Sequence, residues 1–438
     1  MPNLVKSNAG YPVIEKSDAL YQRARQRIPS VTQTLAKGPT QYVKGVAPKY
    51  LERGEGCHVW DVDGNEYLDF NMAIGPLSLG YCYPRVDSAI KAQLEKGITF
   101  SLMHPLEVEV AELVASVVPG AQSIRFSKTG CDVTTAAIRL ARAFTGREKV
   151  LACGYHGWHD WTIGTTDRNR GIPQSVRALT GTFNYNDIDS LASQLDHTTA
   201  AVILEPMLFE FPRDDFLAKV RELCSQRGAL LIFDEMWTGF RLALGGAQEF
   251  FGVQADLATF SKAIANGMPL SVLAGRADVM SLLEKDVFFY TTFGGEALSL
   301  AAAVATIEEL KEKAIPASLR KTGSRLIDGY NALAQELAMN YTKCTGMGAR
   351  SMVTFAPSAG DVLEVKSLVQ QELLKRGILW QGMHALSYSH TAEDIDYALS
   401  AYREVLPILK KAVSEGHPGR YLRGEPVQPV FRTVTGKR

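Results

Sequence analysis

The chain has 438 residues, of which 46% are hydrophobic and 21% charged, with 47 Lys and Arg against 47 Asp and Glu. That length suits a large domain plus a smaller one, and the apolar content supplies a sizeable core. The balanced charge argues against a nucleic-acid groove or an anionic membrane surface as partner.

Residues 1–50 read as an arm carrying a short helix at 17–28. The first eighteen residues contain no apolar signal core, and no stretch of the chain is long enough to cross a membrane, so a cytoplasmic protein is expected. The six cysteines (57, 82, 131, 153, 224, 344) are scattered, without a CxxC pair. They read as mostly buried, reduced thiols and not as a disulfide frame or a zinc site.

Residues 57–70, CHVWDVDGNEYLDF, predict a hairpin, with alternating apolar residues around an Asp-Gly-Asn turn. Short apolar runs follow at 123–127, 149–154, 200–206, 229–235, 257–261 and 270–275, separated mostly by helical or loop-forming segments. A clear helix spans 216–228, with Leu217, Val220, Leu223 and Cys224 on one stripe. Buried runs alternating with helices predict an α/β domain with a mainly parallel sheet. From about 300 the pattern shifts to a long helix and a smaller α+β region, with strands expected near 349–355 and 377–380. The expected division is an arm and part of the small domain at 1–65, a large domain at 66–309 and the rest of the small domain at 310–438.

Ligands of such sheets bind outside the carboxyl ends of the strands. Several reactive residues fall there. Ser127-Lys128-Thr129-Gly130-Cys131 joins a strand to a helix, and the helix N-terminus suits a phosphate. Gly154-Tyr155-His156-Gly157-Trp158-His159 places an aromatic residue between glycines, positioned either to stack on a planar ligand or simply to close a loop. Its two histidines lack the further ligands of a metal site, so no metal is expected. Asp234 ends one apolar run, where a carboxylate is expensive to bury without a cation or a strong donor. Lys262 ends another, where a buried amine becomes nucleophilic and able to form a Schiff base. A phosphate turn, a stacking ring, a carboxylate for a ring nitrogen and a Schiff-base lysine together point to pyridoxal phosphate.

The stretches YLERGEGCHVWDVDGNEYLDF, YHGWHD, DEMWTGFR, FSKAIANG and TTFGGEALSLAAA make the chain resemble the fold-type I, class III aminotransferases, in the branch of glutamate-1-semialdehyde aminomutase and its sugar-aminotransferase relatives. The resemblance covers about residues 45–400. It implies a pyridoxal-phosphate enzyme with a large, mainly parallel-sheet domain and a smaller α+β domain, working as a homodimer. By position, Lys262 is the implied Schiff-base lysine and Asp234 the partner of the pyridine nitrogen. Tyr155 stacks on one ring face and Met236 packs on the other. Gly130 and Cys131 hold the phosphate, Thr292 reaches it from the partner subunit, Glu205 braces residues near the ring and His156 lies behind or beside it.

The chain also departs from the family. Cys131 stands where a hydroxyl residue is usual, and Glu296-Ala297 where Asn-Pro is usual. The mutase's N-terminal arginine for the substrate carboxylate is absent from KGPTQYVKGVAPKYL (37–51), where Gln41 and Tyr42 fall at the matching place. The implied activity is therefore transfer of an amino group from an amino acid, L-glutamate, to an oxo-sugar for cell-surface polysaccharide or lipopolysaccharide. One candidate product is 8-amino-3,8-dideoxy-octulosonate. The alternatives are glutamate-1-semialdehyde 2,1-aminomutase and a non-catalytic binding protein on the same fold. Trp237 reads as a packing residue, and Trp380 and His384 as packing or substrate-contacting ones.

Overall fold

The computed structural model of the protein describes residues 10–429; the start of the N-terminal arm and the extreme C-terminus lie outside them. Two compact units are formed. One is Pro84–Ala317, and the other combines the chain up to Tyr83 with the chain from Ser318 onward.

The Pro84–Ala317 unit is built on a seven-stranded sheet. Its strands are β1 (Ser123–Ser127), β2 (Lys149–Cys153), β3 (Thr180–Thr182), β4 (Thr199–Leu204), β5 (Leu230–Asp234), β6 (Leu257–Phe260) and β7 (Ser271–Gly275), in the spatial order β1-β7-β6-β5-β4-β2-β3. The pairs from β6 through β3 are parallel, and β7 runs antiparallel to both β1 and β6. Every residue of β4, β5 and β6 is buried. Both sheet faces are covered, which is why these strands read as unbroken apolar runs and not as alternating ones. On one face Val150, Ile203, Ile232 and Leu273 pack with Val133, Ala137, Leu140 and Ala141 of helix α1 (Gly130–Thr145). On the other, Leu151, Val202, Leu231 and Phe233 pack with Leu217, Val220 and Cys224 of helix α2 (Phe216–Arg227). Each such aliphatic side chain removed from water contributes about 1.5–3 kcal/mol before conformational entropy opposes it. The short strand β3 carries no apolar run, and its sequence, Thr-Gly-Thr, gave no strand signal.

Two devices fix the N-terminus of α1. Asp132 accepts from the Thr129 amide at 2.8 Å and from the Ser127 hydroxyl at 2.8 Å, so the chain leaving β1 turns directly into the helix. At the other end Gly146 takes a left-handed conformation and closes the helix. Helix α3 (Ala297–Glu312) begins at Glu296, whose carboxylate accepts from the Leu298 and Ser299 amides and pairs with Lys128 at 2.7 Å. That explains the departure from Asn-Pro: the acid caps the helix and neutralises a half-buried lysine just before the turn into α1.

In the other unit the expected hairpin pairs His58–Asp61 with Glu66–Asp69, and the Asp61 carboxylate closes the turn by accepting from the Asp63 and Asn65 amides. Leu51–Glu55 and Ile378–Leu379 extend this sheet. A second sheet of three strands, Thr342–Met347, Arg350–Phe355 and Met383–Ala385, lies among the helices Val362–Lys375 and Ala392–Ser414. The arm helix is Glu15–Arg25, slightly earlier than expected. Trp380 and His384 are both fully buried. His384 bonds Ser351 Oγ and Tyr402 OH, and burial pushes its pKa down to about 3. Among the described residues no helix is long and apolar enough to cross a membrane.

Candidate active site

The carboxyl ends of β1, β2, β4, β5 and β6 enclose a cavity of about 190 Å³, lined by Gly130, Cys131, Thr134, Tyr155, His156, Gly157, Glu205, Asp234, Met236, Trp237, Ser261 and Lys262. Eight of the nine expected site residues are therefore together, although they come from five separate chain segments. The ninth, Thr292, lies outside the cavity on an exposed turn of the same unit. A larger cavity, about 420 Å³, belongs to the other unit and holds none of the expected residues.

Asp234 closes β5 and is only 2% exposed. Its Oδ2 lies 2.8 Å from His156 Nδ1, and its Oδ1 accepts from the Met236 amide at 3.0 Å. His156 Nε2 faces the Cys153 carbonyl oxygen at 3.1 Å, and the imidazole ring stacks on Trp161. Both ring nitrogens thus face acceptors. The histidine holds the carboxylate in one orientation and offsets the penalty of burying its charge. His159 is separate, bonded to Thr135 Oγ1 at 2.7 Å, so the two histidines of the YHGWH stretch do not converge.

Glu235 takes the opposite role from its neighbour. It is fully buried outside the cavity and accepts from Thr238 Oγ1, the Ala247 amide and the Gln248 amide. It ties the loop after β5 to the next helix. Burial pushes its pKa up to about 7. This role escaped the sequence reading, although Thr238 and Gly246, which has no room for a Cβ beside the carboxylate, are its trace.

Lys262 follows β6 on a short helical turn, Lys262–Ala265, and its φ of +47° is in the left-handed region. For a residue with a side chain this conformation is strained by about 1–2 kcal/mol and persists only when the surroundings impose it. They do so here: Ala263, Ile264 and Ala265 are buried, Ser261 Oγ donates to the Leu270 carbonyl, and α3 packs against the turn. The Lys262 amine sits over the Trp237 indole, 4.2 Å from the ring centroid. Trp237, Thr134, Ser261 and Gly157 are wall residues that the sequence reading did not place in the site.

The arrangement fits a planar ring bearing an aldehyde and a phosphate. The N-terminus of the sixteen-residue helix α1 presents free amides at Gly130 and Cys131. Burial raises the Cys131 thiol's pKa, keeping it neutral next to an anion. The cradle has no spare room: a Cβ on Gly130 would meet Met236 Sδ at 2.9 Å, and one on Gly157 would meet Cys131 Sγ at 2.7 Å. Tyr155, 48% exposed, flanks the cavity opening, and Met236 lines it near Gly130. Glu205 is close enough to the Cys153 thiol that burial and this neighbouring charge push the thiol's pKa up to about 12.

Comparison with known proteins gives a consistent picture. The family model for class-III aminotransferases matches residues 42–403. The 3-aminobutyryl-CoA aminotransferase of Cloacimonas acidaminovorans is 35% identical, over 91% of this chain and 98% of its own. The glutamate-1-semialdehyde 2,1-aminomutase of Alkaliphilus oremlandii is also 35% identical, over 91% of this chain and all of its own length. Among solved structures, FumI of Sphingopyxis sp. MTA144, carrying pyridoxal phosphate, superposes with a TM-score of 0.85 at 29% identity, covering 93% of this chain and 99% of that one.

Proposed function

The chain belongs to the class-III aminotransferases, whose cofactor is pyridoxal phosphate, and from that premise we propose that it moves an amino group from L-glutamate to an oxo-sugar, an aldehyde or ketone destined for cell-surface polysaccharide, such as the precursor of 8-amino-3,8-dideoxy-octulosonate. The observation that carries the reaction type is the convergence of the Lys262 amine and the Asp234 carboxylate on one cavity at adjacent strand ends. When bound, pyridoxal phosphate supplies an aldehyde for the amine and a ring that accepts electrons from the substrate carbon.

In this reading the Lys262 amine would hold the cofactor through its aldehyde and, when free, would serve as base and acid for the proton on the donor's α-carbon. Asp234, oriented by His156, keeps a proton on the ring nitrogen. Tyr155 and Met236 restrict the ring to one plane. The Gly130 and Cys131 amides hold the phosphate, joined by Thr292 of the partner subunit, and Glu205 braces residues beside the ring.

The choice of acceptor rests on the segment 37–51. It contains no arginine, and Gln41, at the place where the mutase has its guanidinium, is buried with its side-chain amide donating to the Gln428 carbonyl. A bidentate clamp for a substrate carboxylate is thus missing from that segment. A homodimer is supported by exposed apolar residues on the Pro84–Ala317 unit. Phe100, Leu102 and Met103 are exposed in one stretch and Phe288, Tyr290 and Phe293 in another, and the Ala297 amide bonds the Ile98 carbonyl between residues that flank the two. A second reading, internal transfer in glutamate-1-semialdehyde, is favoured by the 35% identity to the mutase. Incubating the enzyme with glutamate and a panel of oxo-sugars, and separately with the semialdehyde, separates the two. An aminated sugar with release of 2-oxoglutarate supports the first, and 5-aminolevulinate formed without a donor supports the second.

A further inference from the structure

Trp237 follows the aspartate and its two neighbours in the loop after β5, and nothing in the sequence motif gives it a task. It is 8% exposed, lines the cavity, and turns its indole face to the Lys262 amine at 4.2 Å from the centroid. That distance, to a buried ring, is that of a cation–π contact. The lysine backbone is held in a left-handed conformation, which fixes the direction from which its side chain leaves the turn toward the ring.

We propose that Trp237 is a positioning residue that holds the Lys262 ammonium against its indole face whenever the amine is not covalently engaged. The idea rests on the lysine role proposed above. In each half of the reaction the free amine takes one proton from a carbon and gives it back at another, so it alternates between neutral and charged. The indole stabilises only the charged state. It keeps the proton-loaded amine in the cavity and raises the pH at which Lys262 loses its proton. The other titratable groups on the cavity walls are Cys131 at the start of α1, Tyr155 and His156 after β2, Glu205 after β4 and Asp234 at the end of β5. Of these, Asp234 is committed to His156, and from the same loop the buried Arg241 guanidinium lies 5.7 Å from the Trp237 ring centroid, farther than the lysine amine. From α3, packed against the lysine turn, the N-terminal acid Glu296 is committed to Lys128.

The test uses the full-length protein loaded with pyridoxamine phosphate, in which Lys262 is free. Trace acetic anhydride labels amines in proportion to their neutral fraction, and mass spectrometry of the peptide containing Lys262 follows that fraction across pH. The wild type, Trp237→Leu and Trp237→Phe are compared. Removing the aromatic face lowers the Lys262 midpoint by about one pH unit in Trp237→Leu, and Trp237→Phe, whose ring is a weaker partner for a cation, falls between that variant and the wild type. Simple loosening of the pocket would act the other way, since admitted water favours the ammonium and raises the midpoint. Midpoints that coincide in all three proteins, or rise in Trp237→Leu, overturn the proposal. If Trp237→Leu does not fold, a midpoint in Trp237→Phe below that of the wild type supports the proposal and an equal one overturns it. Failure to take up the cofactor at all would instead overturn the reading of Lys262 itself.

Discussion

Asp234 and Glu235 are adjacent carboxylates with different work, and the difference comes from strand geometry. Successive side chains at a strand end point to opposite sides. One faces the cavity and a histidine; the other faces the interior and a helix N-terminus. Substituting Asp234 by Asn disrupts the buried hydrogen bond to His156 Nδ1, a loss of about 1–3 kcal/mol. Denaturant titration of the variant checks the loss of stability, and spectrophotometric titration checks the accompanying loss of cofactor affinity. Glu235 predicts a pH dependence. Its folded pKa, about 7, lies above its ordinary value of 4.5 because burial disfavours the charged form. Its stabilising contribution is therefore complete below about pH 4.5 and declines as pH rises through 7, by about 3 kcal/mol in all. Chemical denaturation at pH 5 and pH 8 should show this slope in the wild type and lose most of it in Glu235→Gln. Equal slopes would mean that Glu235 stays ionised throughout.

Elements place these residues, and much of that placement was legible beforehand. The six apolar runs correspond to β1, β2, β4, β5, β6 and β7, because strands covered on both faces need continuous apolar sequence. Strand β3 escaped notice because an edge strand of Thr-Gly-Thr has no such requirement. The strands Thr342–Met347 and Met383–Ala385 were likewise missed, since lysine, cysteine, glycine and histidine interrupt any alternation. The turn into α1 was recognised as an anion cradle, but its tightness was not, because close approach between Gly130 and Met236 or between Gly157 and Cys131 is a tertiary fact. Gly157 also has a φ of +114°. Gly157→Ala should therefore weaken cofactor binding by about tenfold or more, as strain and overlap together amount to about 1–3 kcal/mol. Equilibrium dialysis of pyridoxal phosphate measures it, and unchanged affinity would mean that the cradle yields.

At the scale of the whole molecule, the family was legible because its chemistry calls for particular residues at fixed places: an amine and an acid at strand ends, a glycine turn before a helix, and an aromatic wall. The acceptor was not legible in the same way, because selectivity is set by pocket shape and by single side chains rather than by a motif. Association belongs to this scale too. Leu102 and Met103 are 79% and 81% exposed, which is unusual for such residues unless another surface covers them. Sedimentation velocity should give a dimer, and Leu102→Glu with Met103→Glu should shift it toward monomer and, under the proposed sharing of the site between subunits, lower activity. A fully active monomer would contradict that arrangement. The most direct test of the central claim is the absorbance spectrum of the purified protein during titration with L-glutamate, alongside Lys262→Ala. A visible cofactor band that gives way to the pyridoxamine absorbance as glutamate is added, and is missing from the variant, is the predicted result. No band after addition of pyridoxal phosphate, or a glutamate response that survives in Lys262→Ala, would contradict it.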